Sequence, residues 1–220
     1  MLPDDVDRFT RLVGPEPTDR QREMDAHAVE EGFPHVGPEV GGWLTQFARL
    51  TDAERVFEFG SGYGYSALWF LRGMADDGEI VLTEFDAEEL EMAEEHLSAA
   101  GYGDRARFEH GDAMETIERY DGPFDLVLID HQKHRYADAF HAVREKLSPG
   151  AVVVADNAMT AGIIDFETLV AMVAGEDHDE PNEHTAGIYD YLSTVRADPA
   201  FETTLLPLGE GLAVSHFRPE

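Results

Sequence analysis

Three short segments hold residues whose types and spacing could do chemistry. The first is EFGSGYGYS, residues 58–66. Gly60, Gly62 and Gly64 fall where a strand pattern gives way to a helix pattern. Such a turn needs permissive backbone angles and lets a ligand approach the backbone closely. A dinucleotide-binding turn spaces its glycines as G-x-G-x-x-G and seats a pyrophosphate on the helix N-terminus. Here the spacing is G-x-G-x-G, with Glu58 before it and Ser66 after it. A carboxylate beside the turn is a poor neighbour for pyrophosphate and suits a ligand carrying an ammonium and a positive sulfonium. Glu84 ends the next strand pattern, where a carboxylate can accept both hydroxyls of a ribose, and Asp112 in GDA can accept from an adenine amino group. The other two segments are IDHQKHRY (129–136) and ADN (155–157), each at the end of an apolar run.

Residues so far apart in the chain need a scaffold that gathers strand ends. RVFEF (55–59), EIVLTE (79–84), a segment near 106–109, FDLVLID (124–130) and AVVVAD (151–156) read as strands. Between them, SALWFLRGM, the segment after Asp86 and HRYADAFHAVREKL read as helices. Asp86 is an N-cap with Glu89 placed to complete a capping box, and Leu90, Ala93 and Leu97 line one helix face. Pro149–Gly150 is read as a turn into the 151–156 strand. FETTLLPL and GLAVSHF flank Gly209–Gly211 and read as a hairpin. GEDHDEPNEHT (175–185) reads as a polar loop, and Val40, Leu44, Phe47 and Ala48 have helical spacing. Strands alternating with helices imply right-handed βαβ units. The expected fold is α/β and Rossmann-like: a doubly wound, mostly parallel seven-stranded sheet with a C-terminal antiparallel hairpin. A single domain, 1–220, is expected, with residues 1–50 forming a helical segment over the site and 51–220 the core.

With these motifs the chain resembles the class I S-adenosylmethionine-dependent methyltransferases. Within them it is similar to the metal-dependent catechol and caffeoyl-CoA O-methyltransferases, over roughly residues 30–217. The catechol enzymes share the Asp-His-x-Lys core of Asp130–Lys133 and continue through Arg135–Tyr136. The resemblance implies that Asp130, Asp156 and Asn157 ligate a divalent cation. Two carboxylates and an amide make a hard oxygen set that suits Mg²⁺. It also implies that Lys133 removes the phenolic proton before the phenolate attacks the sulfonium methyl in line. Lysine can act as a base where arginine stays charged, and only two of the 16 basic residues, Lys133 and Lys146, are lysines.

The implied cofactor contacts are Glu58, Gly60, Gly62, Gly64, Glu84, Asp112, Ala113 and Asp130. Val36 and Gly37 match a loop closing over the methionine moiety, Tyr63 and Ser66 lie near its carboxylate, and His131 sits beside the adenosyl group. Asp190 corresponds to the acid that holds a second catechol hydroxyl. Gln132 stands where the catechol enzymes carry an aromatic, and EEGFPHVG lacks their tryptophan, although Phe33 is nearby. A polar diol or hydroxylated aromatic acid therefore fits as well as catechol itself. The competing readings are a metal-independent methyltransferase of the same fold and a non-catalytic binder of adenosyl ligands.

Composition narrows the partners. The chain has 46 acidic against 16 basic residues and a net charge of −30. Nucleic-acid binding relies on clustered Lys and Arg, and the sequence contains no such cluster. With 43% apolar residues it can still bury a core, so the charge does not imply disorder. The lack of cysteine excludes disulfides and thiol catalysis. No apolar run approaches a membrane span, and a cytoplasmic protein, monomer or homodimer, is expected. Acids spread along the whole chain suggest a saline cytoplasm in which cations screen self-repulsion.

Overall fold

The computed structural model describes residues 4–219. Three helices, α1 (Asp4–Val13), α2 (Asp19–Glu31) and α3 (Gly37–Leu50), precede the sheet. There follow β1 (Arg55–Phe59), α4 (Tyr65–Leu71), β2 (Glu79–Glu84), α5 (Ala87–Ala99), β3 (Ala106–His110), α6 (Ala113–Ile117), β4 (Phe124–Ile129), α7 (Tyr136–Arg144) and β5 (Leu147–Ala155). Helices α8 (Phe166–Ala174) and α9 (Glu183–Ala197) lead into the hairpin β6 (Phe201–Leu206) and β7 (Leu212–Phe217). Strand order is β3-β2-β1-β4-β5-β7-β6. β1 to β5 pair in parallel, and β7 is antiparallel to both β5 and β6. The expected α/β fold and its terminal hairpin are therefore present.

The central strands bury both faces, which is why they read as continuous apolar runs. Alternate residues point to opposite sides. Val56, Leu126, Leu128 and Val154 pack with Trp69, Phe70 and Leu44 on one side. Phe57, Val127, Ile129 and Val153 pack with Tyr136, Phe140 and Tyr191 on the other. No helix among the described residues is long and apolar enough to cross a membrane.

The structure corrects four local readings. Pro149–Gly150 does not break the chain, because β5 runs from Leu147. Its pairing with β4 jumps from Phe124–Leu147 to Leu126–Val152, so Pro149 and Gly150 are accommodated in a bulge, where a missing N–H is tolerated. The capping box is only half formed. Asp86 accepts from the N–H groups of Glu88 and Glu89, but its own N–H donates to Glu84, not to Glu89. Helices α8 and α9 are additional to those expected. The polar stretch is also shorter than expected, since Asn182 caps α9 by accepting from Thr185 N–H and residues 183–185 are helical.

Candidate active site

The parallel strands bring their carboxyl ends to one edge of the sheet. Chain order reverses between β1 and β4, and the loops leaving those strands diverge into a crevice, where α/β sheets bind ligands. The cleft here has a volume of about 940 Å³. Val36, Gly37, Gly60, Gly62, Tyr63, Ser66, Glu84, Ala113, Asp130, His131, Gln132, Lys133, Asp156 and Asn157 all line it. Helix α2 and the loop before α3 contribute Asp25, Phe33 and His35 to the opposite wall.

The glycine turn shows why small residues are needed. Gly60 has φ +83°, and a Cβ there would lie 2.6 Å from the Asp130 carbonyl oxygen. The loops after β1 and β4 could not approach this closely with a side chain present. Gly62 N–H donates to Glu84 Oε2 at 2.9 Å, and Phe85 N–H donates to Glu84 Oε1 at 2.7 Å. Glu84 thus braces the turn from the end of β2 while its carboxylate lines the cleft.

Glu58 is fully buried beneath the turn, behind the cleft wall, and neither of its oxygens has a hydrogen-bond partner. Burial pushes its carboxyl from 4.5 up to about 8; the nearby Ser66 side chain pulls it back and the Asp130 charge pushes it further. Glu58 therefore holds its proton more tightly in the folded than in the unfolded chain. Its destabilising effect is absent below the unfolded value and grows as pH rises toward 8. Glu58→Gln should melt higher than the parent above about pH 8, by roughly 2–4 °C for each kcal/mol recovered. The gap should close at mildly acidic pH. Melting curves across pH test this, and a gap independent of pH would rule Glu58 out as the titrating group.

At the end of β4 a compact polar cluster forms. Lys133 is buried; its Nζ donates to Asp130 Oδ1 at 2.9 Å and to Tyr136 Oη at 2.8 Å. The Tyr136 hydroxyl donates to the Asp156 carbonyl at 3.1 Å, tying this turn to the end of β5. His131 stacks on the Tyr136 ring with centroids 5.6 Å apart. Burial drives its pKa down to about 3, so the ring is neutral.

Burial pushes the Asp130 carboxyl up, and the Lys133 ammonium beside it pulls it back. Asp156 is raised to about 8, first by burial and then by the Asp130 charge. A buried Asp156 and a half-buried Asp130 that repel each other favour a positive charge between them. Among the described residues no three His, Cys, Asp or Glu side chains converge as a metal-binding group. The candidate set is instead Asp130, Asp156 and the Asn157 amide, all hard oxygen donors that fit Mg²⁺.

Besides Glu58, three expected residues sit outside the cleft. Gly64 lies behind the cleft, against α5. Asp112 caps α6 through Met114 N–H at 2.8 Å and pairs with Arg135 Nη1 at 3.0 Å. Its carboxylate is thus already engaged, although the next residue, Ala113, reaches the cleft. Asp190 is exposed on α9 and does not line the cleft. Helical phase turns Ile188, Tyr191 and Leu192 inward and leaves Asp190 outside.

The structure also adds residues that sequence reasoning missed. Tyr65 lines the cleft with a buried hydroxyl that has no partner; its place inside the glycine motif was the available signal. Glu210, on the β6–β7 loop, lines the cleft and has no sequence signal, because only pairing of β7 with β5 brings it there. Gln132, already expected on the substrate side, lines the cleft with its Oε1 buried and without a partner.

A parallel sheet with its cleft at the reversal point, acids at successive strand ends and a buried lysine define an enzyme of the methyltransferase type. The chain belongs to the O-methyltransferase family, whose sequence profile matches residues 19–216. A catechol O-methyltransferase of Mycobacterium tuberculosis is 33% identical over 163 residues, covering 73% of this chain and 74% of that protein. A catechol O-methyltransferase of Niastella koreensis is 29% identical over 154 residues, covering 67% and 70%. Among solved structures, the O-methyltransferase TomG from Streptomyces achromogenes, in complex with SAM, superposes with a TM-score of 0.84 at 23% identity. That match covers 98% of this chain and 96% of TomG, and at this identity it speaks for the fold.

Proposed function

We propose that the enzyme transfers the methyl group of S-adenosylmethionine to a hydroxyl of a small molecule bearing vicinal hydroxyls, with a divalent cation at Asp130, Asp156 and Asn157. The observation that carries this reading is that Lys133, Asp130 and Asp156 line the same cleft as the glycine turn. S-adenosylmethionine supplies a methyl on a positive sulfonium, and a divalent cation lowers the pKa of a bound phenol. The chain does the rest. Glu84 at the edge of the turn favours a cationic, ribose-bearing ligand. Lys133, anchored by Asp130 and Tyr136, must first lose its extra proton to solvent; as the neutral amine it then accepts the phenolic proton at Nζ. Asp25, Phe33 and His35 close the opposite wall, and holding oxygen and methyl at attack distance would supply most of the acceleration. Gln132 makes the substrate side more polar than an aromatic would.

Labelled-methyl transfer to a panel of catechols, in high KCl with and without Mg²⁺, tests the reading. Turnover surviving exhaustive chelation would point to a metal-independent enzyme of this fold. Cofactor binding without turnover on any substrate would point to a binder. The charge of −30 also predicts that the fold is most stable in concentrated salt, because screening weakens self-repulsion. A KCl titration of the melting temperature should rise toward multimolar salt, and a flat titration would overturn the saline reading.

A further inference from the structure

The hairpin loop between β6 and β7 reaches back to the end of β5. Ala158 N–H donates to the Gly211 carbonyl at 2.8 Å, and Met159 and Thr160 N–H donate to the Glu210 carbonyl at 3.2 and 2.9 Å. Gly211 has φ +93°, and a Cβ there would lie 2.4 Å from the Met159 side chain. This approach is therefore open only to glycine. It places the Glu210 carboxylate beside Asn157, whose Nδ2 donates to Glu210 Oε2 at 2.5 Å. Asn157 itself adopts φ +54°, a left-handed conformation that asparagine tolerates better than most residues. A carboxylate can only accept, so the amide must turn its NH₂ toward Glu210. The amide oxygen is then what remains to coordinate a cation.

We propose that Glu210 is a positioning residue for the cation site. It selects the amide orientation in which Asn157 offers oxygen, and its charge adds to the field at the site. It acts through Asn157, since no third acidic side chain joins Asp130 and Asp156 in a metal-binding group among the described residues. This inference rests on the metal-dependent reading above. It adds a residue that lies outside the two strand-end motifs and is brought in by the antiparallel strand.

The test is Mn²⁺ binding to the full chain in KCl, followed by the electron paramagnetic resonance signal of free Mn²⁺. Glu210→Ala should weaken binding by ~10–100-fold, the range for partners that orient metal ligands. Affinity for S-adenosylhomocysteine, titrated calorimetrically, should stay unchanged and so report an intact fold. Glu210→Gln should recover part of the loss, because its amide oxygen still accepts from Nδ2 while the charge is gone. In an Asn157→Ala background, Glu210→Ala should cost clearly less than in the parent, because the orientation effect is already gone and only the charge contribution remains. Parental Mn²⁺ affinity in Glu210→Ala, or a full additive loss in the Asn157→Ala background, would overturn the role of Glu210 while leaving the metal-dependent function standing. A parent protein that binds no Mn²⁺ would overturn both.

Discussion

Lys133→Ala should lower turnover by ~10²-fold or more, the range for removal of a general base. Affinity for S-adenosylhomocysteine should be unchanged, because Lys133 sits at the β4 end of the cleft and the glycine turn follows β1. The geometry explains the size of the effect. Lys133 Nζ is held between Asp130 Oδ1 and Tyr136 Oη, so the amine is pre-positioned and little ordering is needed at the moment of proton transfer. Lys133→Arg separates charge from basicity. Arginine preserves the positive partner of Asp130 but does not give up its proton at any useful pH, so it too should be slow. Single-turnover rates at saturating cofactor, beside calorimetric cofactor titrations, decide the matter. Full activity in Lys133→Ala would remove the base assignment, and recovery in Lys133→Arg would reassign the residue to charge balance.

Asp156→Ala should have the other large effect. Loss of a carboxylate ligand removes Lewis-acid stabilisation worth several kcal/mol, or about 10³-fold in rate. Mn²⁺ binding should be lost with it. The pH dependence of the metal-free protein offers an independent readout. Burial and Asp130 raise Asp156 to about 8, so folding takes up a proton there, and stability falls as pH rises from the ordinary carboxylate range toward 8. Removing the group should flatten that part of the profile. In Asp156→Ala the metal-free protein should therefore be more stable than the parent in mildly alkaline buffer while being nearly inactive. An active variant that still needs added metal would exclude Asp156 as a ligand.

Most of the strand-end placement was legible in the sequence. Gly60, Glu84, Asp130, Lys133 and Asp156 follow apolar runs, and in a parallel sheet every such run delivers its last residues to the same edge. Local geometry was less legible. Glu89 looked like half of a capping box, but Glu84 from the neighbouring strand end took the Asp86 N–H instead. Pro149–Gly150 looked like a break because local propensity carries no information about a bulge.

Asp190 shows the limit of reading an acid by its neighbourhood. Its segment is helical, and helical phase, set by Ile188 and Tyr191 packing into the core, turned it outward. Lys133 and the two aspartates were placed by the sequence itself, because position just past a strand end brings them to the cleft, whereas Glu58, one residue short of the end of β1, is buried behind it. Glu210, Tyr136 as a brace and the repulsion between Asp130 and Asp156 were decided only by tertiary structure. Their contacts arise where β7 inserts against β5 and where burial strips water from two like charges. Neither strand pairing nor desolvation is a property of a short stretch of chain.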